Sequence, residues 1–150
     1  MGSEGLMTYD LLLDTHVFLW LMEGDEKLSK EALKKIFHTC EKEGRIYLSA
    51  ISVWKIVMLI MKNRIKIKQP IFQWIQAAFR ALHINLDPLP PEISLERCCL
   101  SDSFHQDSVD HMIVASARIL SVPLVTKDER ILRYARRIFE GYFCISLSAE

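Results

Sequence analysis

Short, uninterrupted apolar runs alternate with longer segments of helical periodicity along this chain. Apolar runs without polar alternation are typical of strands that are buried on both faces of a parallel sheet. The helical segments between them can form the crossover connections that parallel strands require. We therefore expect an α/β fold with a short, largely parallel central sheet covered on both faces. The predicted strands are Leu11–Leu13, Ile46–Leu48, Ile84–Leu86, Pro123–Thr126 and Tyr142–Ser146.

The predicted helices begin and end at residues with known capping preferences. Ser29 and Ser49 stand where N-caps belong, and Asp107 is the natural N-cap of a later helix. Pro70 suits a first helical turn, and Gly44 stands where a helix C-cap belongs. The predicted helices are His16–Met22, Lys30–Glu43, Ala50–Met61, Ile71–Leu82, Glu92–Cys99, Ser108–Leu120 and Glu129–Arg137.

The length and composition of the chain fit one domain of ordinary size. Half of its 150 residues are apolar, which is enough for a hydrophobic core without disulfide or metal staples. Nineteen Lys and Arg balance nineteen Asp and Glu, so a bulk positive field for nucleic acid is excluded, while a local basic face is not. We expect a single domain over residues 7–150, with residues 1–6 as an N-terminal extension or cloning remnant.

The cysteines and the apolar runs exclude several other classes of protein. Cys40, Cys98, Cys99 and Cys144 lack the C-x-x-C spacing of zinc or redox sites, so buried, reduced thiols are expected. The first residues lack the basic and apolar regions of a signal peptide. The longest apolar runs are shorter than a membrane span. These features indicate a soluble, cytoplasmic protein with no membrane partner.

Three aspartates occupy positions where a carboxylate is informative. Asp14 ends the first predicted strand, and Asp128 lies just past the fourth, at the sheet edge where α/β folds bind ligands. Asp110 shares a helical face with apolar residues three, four and seven positions later, so its buried carboxylate needs a metal ion or a basic partner. A cluster of oxygen donors suits Mg²⁺ or Mn²⁺ better than zinc. Alternatively, all three aspartates serve only helix termini, as caps or through the helix dipole.

Four sequence blocks resemble the motif blocks of PIN-domain proteins, above all the VapC toxins of bacterial type II toxin–antitoxin pairs. The similarity runs from about residue 9 to residue 146, and the blocks follow the order and spacing of the family. Each block is short, but all four in order are fairly specific. The blocks are LLLDTHVFLW (11–20), SAISVWKI (49–56), DSVDHMIVASA (107–117) and LVTKDER (124–130).

The resemblance implies a three-layer α/β/α PIN fold and a Mg²⁺- or Mn²⁺-dependent endoribonuclease. Asp14, Asp110 and Asp128 match the catalytic positions at which the family holds its metal ion, and Thr15 and Thr126 match hydroxyl positions that line the site. The implied partners are an RNA substrate, a small antitoxin protein and a second copy of the chain in a homodimer.

Lys55 departs from the family pattern. The family has a glutamate in a motif resembling Ser-Xaa-Trp-Glu-Ile, and this chain reads Ser-Val-Trp-Lys-Ile over residues 52–56. Pattern alone favours a solvated lysine, since Ser49, Ser52 and Lys55 form a polar stripe on one helix face. The resemblance instead places Lys55 among the acids, where its ammonium competes with a metal ion. We therefore expect weak or absent cleavage, whether the lysine is natural or engineered.

Two other functions remain open from the sequence. One is a non-catalytic PIN module that binds antitoxin or RNA, and the other is a generic α/β interaction domain.

Basic and aromatic residues outside these blocks suggest further contacts. Basic residues follow the third predicted helix and recur in the last one. Either they contact phosphate groups or they are ordinary solvated surface residues. The aromatic residues of the helices are expected in the core or at an interface. The candidate RNA-binding residues are Lys62, Arg64, Arg130 and Arg133, and the aromatic residues are Trp20, Trp54, Phe72, Trp74 and Phe79.

Overall fold

Helices and strands alternate along the chain in the computed structural model, which describes residues 9–88, 108–138 and 144–146. Most of the predicted elements are confirmed there, with ends shifted by one or two residues. The strands are β1 (Leu11–Leu13), β2 (Ile46–Ser49), β3 (Ile84–Asp87), β4 (Leu124–Thr126) and β5 (Cys144–Ser146). The helices are α1 (Thr15–Glu23), α2 (Lys30–Glu41), α3 (Ala50–Met61), α4 (Ile71–Leu82), α5 (Ser108–Leu120) and α6 (Glu129–Ile138).

The five described strands form one parallel sheet in the order β3-β2-β1-β4-β5. The central strand β1 pairs Leu12 with Tyr47 of β2 on one side and with Leu124 of β4 on the other. All three residues of β1 are buried, as its unbroken apolar sequence predicts. Because the strands are parallel, their carboxyl ends meet at a single edge of the sheet.

Helices cover both faces of the sheet, which confirms the expected three-layer α/β/α architecture. Leu11 and Leu13 face a cluster that includes residues of α1 to α4, while Leu12 faces a second cluster formed largely by α5 and α6. This division follows from the alternation of side chains along a strand. Phe18 of α1 is fully buried in the first cluster, where the rings of Trp74 and Phe79 pack edge-on against it.

Two of the five helical aromatic residues that were expected in the core or at an interface lie outside the core. Trp54 of α3 is 52% exposed and Phe72 of α4 is 68% exposed. The prediction of a core position is therefore wrong for both residues, because each side chain lies on the outward face of its helix. The alternative of an interface position stays open for them.

The end of α2 differs from the sequence prediction. The helix ends two residues earlier than expected, and Glu43 rather than Gly44 adopts the left-handed conformation, with φ of 56°. Gly44 is required for a different reason, since a Cβ atom there would lie 2.8 Å from the carbonyl oxygen of Tyr9. Both serine caps are confirmed: the hydroxyl of Ser29 accepts from the Ala32 N–H, and that of Ser49 accepts from the Ile51 N–H.

The buried face of α2 does not include its cysteine. Ala32, Ile36 and Thr39 are buried, at the one-turn spacing that a helix face requires, while Phe37 and Cys40 are exposed. The prediction that the Cys40 thiol is buried is therefore wrong, because Thr39 takes the position against the sheet. Several other predictions lie outside the described residues: the 1–6 extension, the helix Glu92–Cys99, the thiols of Cys98 and Cys99, and the cap at Asp107.

Within the described part of the chain, every helix is too short or too polar to cross a lipid bilayer.

Asp87, the last residue of β3, is a buried carboxylate outside the candidate site. It is 7% exposed, and its Oδ2 atom has no hydrogen-bond partner among the described residues. Burial raises the pKa of Asp87, and hydrogen bonding with Ser116 opposes this shift only in part. A carboxyl whose pKa is raised by folding stabilises the folded state below its ordinary pKa, and this contribution is lost as the pH rises through the folded-state pKa.

The Asp87→Asn variant is expected to unfold at higher urea concentration than the wild type at pH 8, by about 1 kcal/mol in free energy of unfolding, because it removes an incompletely paired buried charge. The difference should shrink at pH 3, which lies below even the ordinary carboxyl pKa of 3.8, because the wild-type side chain is then protonated. Urea unfolding at the two pH values measures both effects, with Glu26→Gln on the exposed surface as the control. An equal effect of Asp87→Asn at both pH values would contradict the view that the buried Asp87 charge destabilises the fold.

Candidate active site

A pocket of about 510 Å³ lies at the carboxyl edge of β1 and β4. The three predicted aspartates line it together, although they come from three separate segments of the chain. Asp14 follows β1, Asp128 follows β4, and Asp110 lies in the first turn of α5. The other lining residues are His16, Trp20, Lys27, Lys55, Lys127 and Arg130.

Hydrogen bonds hold both oxygen atoms of the Asp14 carboxylate. It is the N-cap of α1, and its Oδ1 atom accepts from the Thr15 N–H at 2.8 Å. Its Oδ2 atom accepts from the Thr126 hydroxyl at 2.7 Å. Burial raises the pKa of Asp14, while these two hydrogen bonds and the charges of His16 and Lys55 oppose the shift. The capping interpretation of Asp14 is thus correct, and the cap itself places the carboxylate in the pocket.

The two predicted threonines lie behind the pocket wall and connect its parts. The Thr126 hydroxyl, besides donating to Asp14, accepts from the Asp128 N–H at 3.1 Å. The Thr15 hydroxyl donates to the Ser52 hydroxyl of α3 at 2.8 Å. Both threonines are fully buried. They position the ends of β1 and β4 relative to each other and to α3, and neither lines the pocket directly.

Asp110 has the basic partner that its burial requires. The side chain is 6% exposed, and its Oδ2 atom lies 3.5 Å from an Nη atom of Arg130. The same guanidinium nitrogen lies 3.5 Å from Oδ2 of Asp128. Asp128 also caps α6, because its Oδ1 atom accepts from the Arg130 and Ile131 N–H groups. Arg130 therefore bridges two of the three acids.

Lys55 faces the pocket and not the solvent side of α3. Ser49 and Ser52, which share its polar stripe, are fully buried, so the outer-face interpretation from pattern alone was wrong. The Lys55 side chain is half-buried and lowers the pKa of Asp14 through its charge. Among the described residues it has no hydrogen bond or ion pair of its own. Lys55 thus adds a positive charge beside the acids.

The sequence did not point to four residues that line the pocket: His16, Trp20, Lys27 and Lys127. Lys127 lies with its Nζ atom 5.5 Å from the centre of the Trp20 ring and donates to the carbonyl of Lys27 at 3.3 Å. His16 lies one helical turn before Trp20, with the ring centres 6.0 Å apart. Desolvation lowers the pKa of His16, Asp14 opposes this shift, and Lys55 adds to it. The adjacency of His16 to the Asp14–Thr15 pair and of Lys127 to Asp128 was the available signal.

The other candidate RNA-binding residues lie away from the pocket wall. Lys62 and Arg64 are exposed just beyond the end of α3. Arg133 is exposed on α6, where its Nε atom donates to the Glu129 carbonyl. Of the four candidates, only Arg130 lines the pocket.

The parallel sheet, its two helical layers and the three acids at its carboxyl edge agree with the PIN resemblance of the sequence blocks. The chain belongs to the PIN domain family, whose family model matches residues 11–137. Ribonuclease VapC22 of Mycobacterium tuberculosis is 31% identical over 121 residues, which cover 81% of this chain and 88% of that protein.

Two solved structures share the fold. VapBC2 from Rickettsia felis, bound to a DNA fragment from its promoter, matches with a TM-score of 0.61 and 14% identity, over 83% of this chain and 92% of the other. FitAB bound to the IR36 DNA fragment matches with a TM-score of 0.50 and 19% identity, over 84% and 90% of the two chains. At these identities the likeness establishes the fold.

PIN ribonucleases are in general metal-dependent, so the pocket can be judged against the needs of a divalent ion. Its three carboxylates have suitable donor chemistry. However, no three His, Cys, Asp or Glu side chains of the described residues are grouped closely enough to hold a metal ion. Arg130 already bridges two of the acids, and the ammonium of Lys55 points into the same pocket. As it stands, the pocket of this chain does not fit the metal.

Proposed function

We propose that this protein is a VapC-like endoribonuclease toxin whose metal-dependent RNA cleavage is weakened or abolished by Lys55. The similarity to Ribonuclease VapC22 supports the enzyme class. The observation that carries the proposal is the presence of the Lys55 ammonium in the same pocket as Asp14, Asp110 and Asp128. An alternative is a PIN module that binds RNA or antitoxin without any catalytic capacity.

The proposed roles follow from the contacts of each side chain. Asp14, Asp110 and Asp128 are the catalytic carboxylates that would hold Mg²⁺ or Mn²⁺ once the charge at position 55 is acidic. Thr126 positions Asp14 and Asp128 through its two hydrogen bonds. Thr15 positions the start of α1 against α3 through Ser52.

The proposed RNA path leaves the pocket over its basic rim. Arg130 is half-exposed at the pocket, and Lys62, Arg64 and Arg133 are exposed cations that could extend phosphate contacts along the surface. Contacts of this kind release counterions, so RNA binding should weaken steeply as the salt concentration rises. We also propose a cytoplasmic location, because the proposed RNA substrate is found there.

The test of the proposed function is RNA cleavage by matched variants. Purified wild type, Lys55→Glu, and Lys55→Glu combined with Asp128→Asn are incubated with RNA in Mg²⁺ or Mn²⁺. We expect cleavage by Lys55→Glu, little or none by the wild type, and none by the double variant. If Lys55→Glu binds the metal and still cleaves no RNA, the non-catalytic alternative is correct.

The proposed protein partners are a cognate antitoxin and a second copy of the chain. Support comes from large apolar side chains that the fold leaves exposed on neighbouring stretches of sequence. Trp54 and Met61 of α3 are 52% and 73% exposed, and Phe72 of α4 is 68% exposed. Exposed apolar side chains of this size are typical of protein interfaces.

The Phe72→Ser variant is expected to shift the protein from dimer towards monomer, because an exposed apolar side chain at an interface contributes by burial in the partner. Size-exclusion chromatography with light scattering measures the mass. Phe37→Ser, at an exposed apolar residue of α2, is the matched control and should leave the mass unchanged. A wild-type monomer, or equal effects of both substitutions, would contradict a homodimer through α4.

A further inference from the structure

The pocket carries more basic than acidic side chains. Lys27, Lys55, Lys127 and Arg130 line it together with three aspartates. Arg130 is engaged by Asp110 and Asp128, and both oxygens of Asp14 accept hydrogen bonds from Thr15 and Thr126. Four basic side chains against three carboxylates leave a net charge of +1 on the pocket lining when all are ionised. The charge left to act on a ligand is positive.

Lys55 is the centre of this positive charge. Its ammonium has three N–H donors, and none is used by a described residue. The side chain is half-buried, so it has lost part of its hydration without gaining a partner among those residues. An oxyanion in the pocket would supply the missing acceptor, and hydrogen bonds between an ammonium and a phosphate oxygen are among the strong ones.

The pocket rim adds two features that suit a nucleotide. Lys127 is held over the Trp20 ring and by the carbonyl of Lys27, which keeps a second ammonium at the rim. The Trp20 ring packs partly against the core, and the part of it that stays exposed beside His16 is an aromatic surface of the kind on which unpaired bases stack. A carboxylate from a protein would use the cations and leave this aromatic surface without a role.

We propose that the pocket binds a phosphodiester group of single-stranded RNA directly through Lys55, without a metal ion. Where the family has a carboxylate that can bind a metal cation, Lys55 has an ammonium that can donate hydrogen bonds to an anion. The pocket thereby becomes a metal-independent phosphate site. The assignment to RNA rests on the proposed function, while the phosphate site itself rests on the positions of Lys55 and Lys127 in the pocket lining.

The experiment is a titration of the full chain with two probes in the presence of EDTA. Inorganic phosphate and a short single-stranded oligoribonucleotide are each added, and amide NMR shifts of Asp14, Thr15 and Arg130 report binding in the pocket. The variants are Lys55→Met, which removes the ammonium and keeps an unbranched side chain one atom shorter, and Lys34→Met on the exposed face of α2 as control. Thermal unfolding verifies that Lys55→Met is folded.

We expect both probes to bind in EDTA, Lys55→Met to weaken both about tenfold, and Lys34→Met to bind as the wild type. Unchanged binding by Lys55→Met, or binding that requires Mg²⁺, would overturn the phosphate site. Binding of inorganic phosphate without the oligoribonucleotide would overturn the assignment to RNA. These results are separate from the proposed function, because a Lys55→Glu variant that fails to cleave RNA leaves the titrations in EDTA unaffected.

Discussion

The Lys55→Glu variant is expected to bind Mn²⁺ about 100-fold more tightly than the wild type. Two unit charges about 6 Å apart interact by roughly 2.8 kcal/mol at an effective dielectric constant near 20. That energy corresponds to about a 100-fold change in affinity. The substitution removes the repulsion of an ammonium and adds a fourth oxygen donor beside Asp14, Asp110 and Asp128. Solvent screening at this half-buried position reduces the gain in Mn²⁺ affinity. The combined effect of losing the repulsion and adding a donor is therefore expected to be smaller than the sum of the two.

Isothermal titration of Mn²⁺ measures this gain. Lys55→Gln is the matched control, since it removes the positive charge without adding a negative one. It should bind Mn²⁺ with an affinity between those of the wild type and Lys55→Glu. If all three proteins bind Mn²⁺ equally, position 55 does not govern the metal affinity of the pocket, and the charge of Lys55 is not a cause of weak cleavage.

The Thr126→Val variant is expected to lose about 2 kcal/mol of unfolding free energy, because a hydrogen bond to a charged group contributes about 1.5–3 kcal/mol. Valine keeps the branched shape and replaces the hydroxyl with a methyl group. Asp14 would then remain buried with one hydrogen bond fewer, and the Asp128 N–H would lose its acceptor. The hydroxyl also lowers the pKa of Asp14, so its loss should raise that pKa further.

Chemical denaturation of Thr126→Val and Thr126→Ser separates the role of the hydroxyl from that of packing. Serine retains the oxygen and loses a methyl group from a fully buried position. We expect Thr126→Ser to keep most of the stability that Thr126→Val loses. A larger loss for the serine variant would mean that Thr126 acts through packing and not through its link between Asp14 and Asp128.

Much of the fold was predictable because local and global preferences agree in this chain. The apolar run of β1 has no polar alternation, and in the structure the strand lies at the centre of the sheet. Ser29 and Ser49 cap their helices as expected. The end of α2 was less predictable, since the reason for Gly44 is the approach of the Tyr9 carbonyl, which lies far away in sequence.

The acids of the site were predictable, while their surroundings were not. Asp14 and Asp128 follow strands of a parallel sheet, and that position alone brings them to one edge. The orientation of Lys55 could not be read from its helix, because a polar stripe is compatible with solvent or with a pocket. The burial of Ser49 and Ser52, and the contact between Ser52 and Thr15, show which side of the helix faces the site. Trp20 and Lys127 meet through tertiary packing, for which the sequence carries no periodic signal.

The most direct test of the role of Lys55 is a pair of crystal structures, of the wild type and of Lys55→Glu, both grown with MnCl₂ and measured at a wavelength where manganese scatters anomalously. We predict an anomalous peak between Asp14, Asp110 and Asp128 in the Lys55→Glu crystal and none there in the wild-type crystal. A manganese peak of equal height in both crystals would contradict the claim that Lys55 keeps the metal out of this pocket.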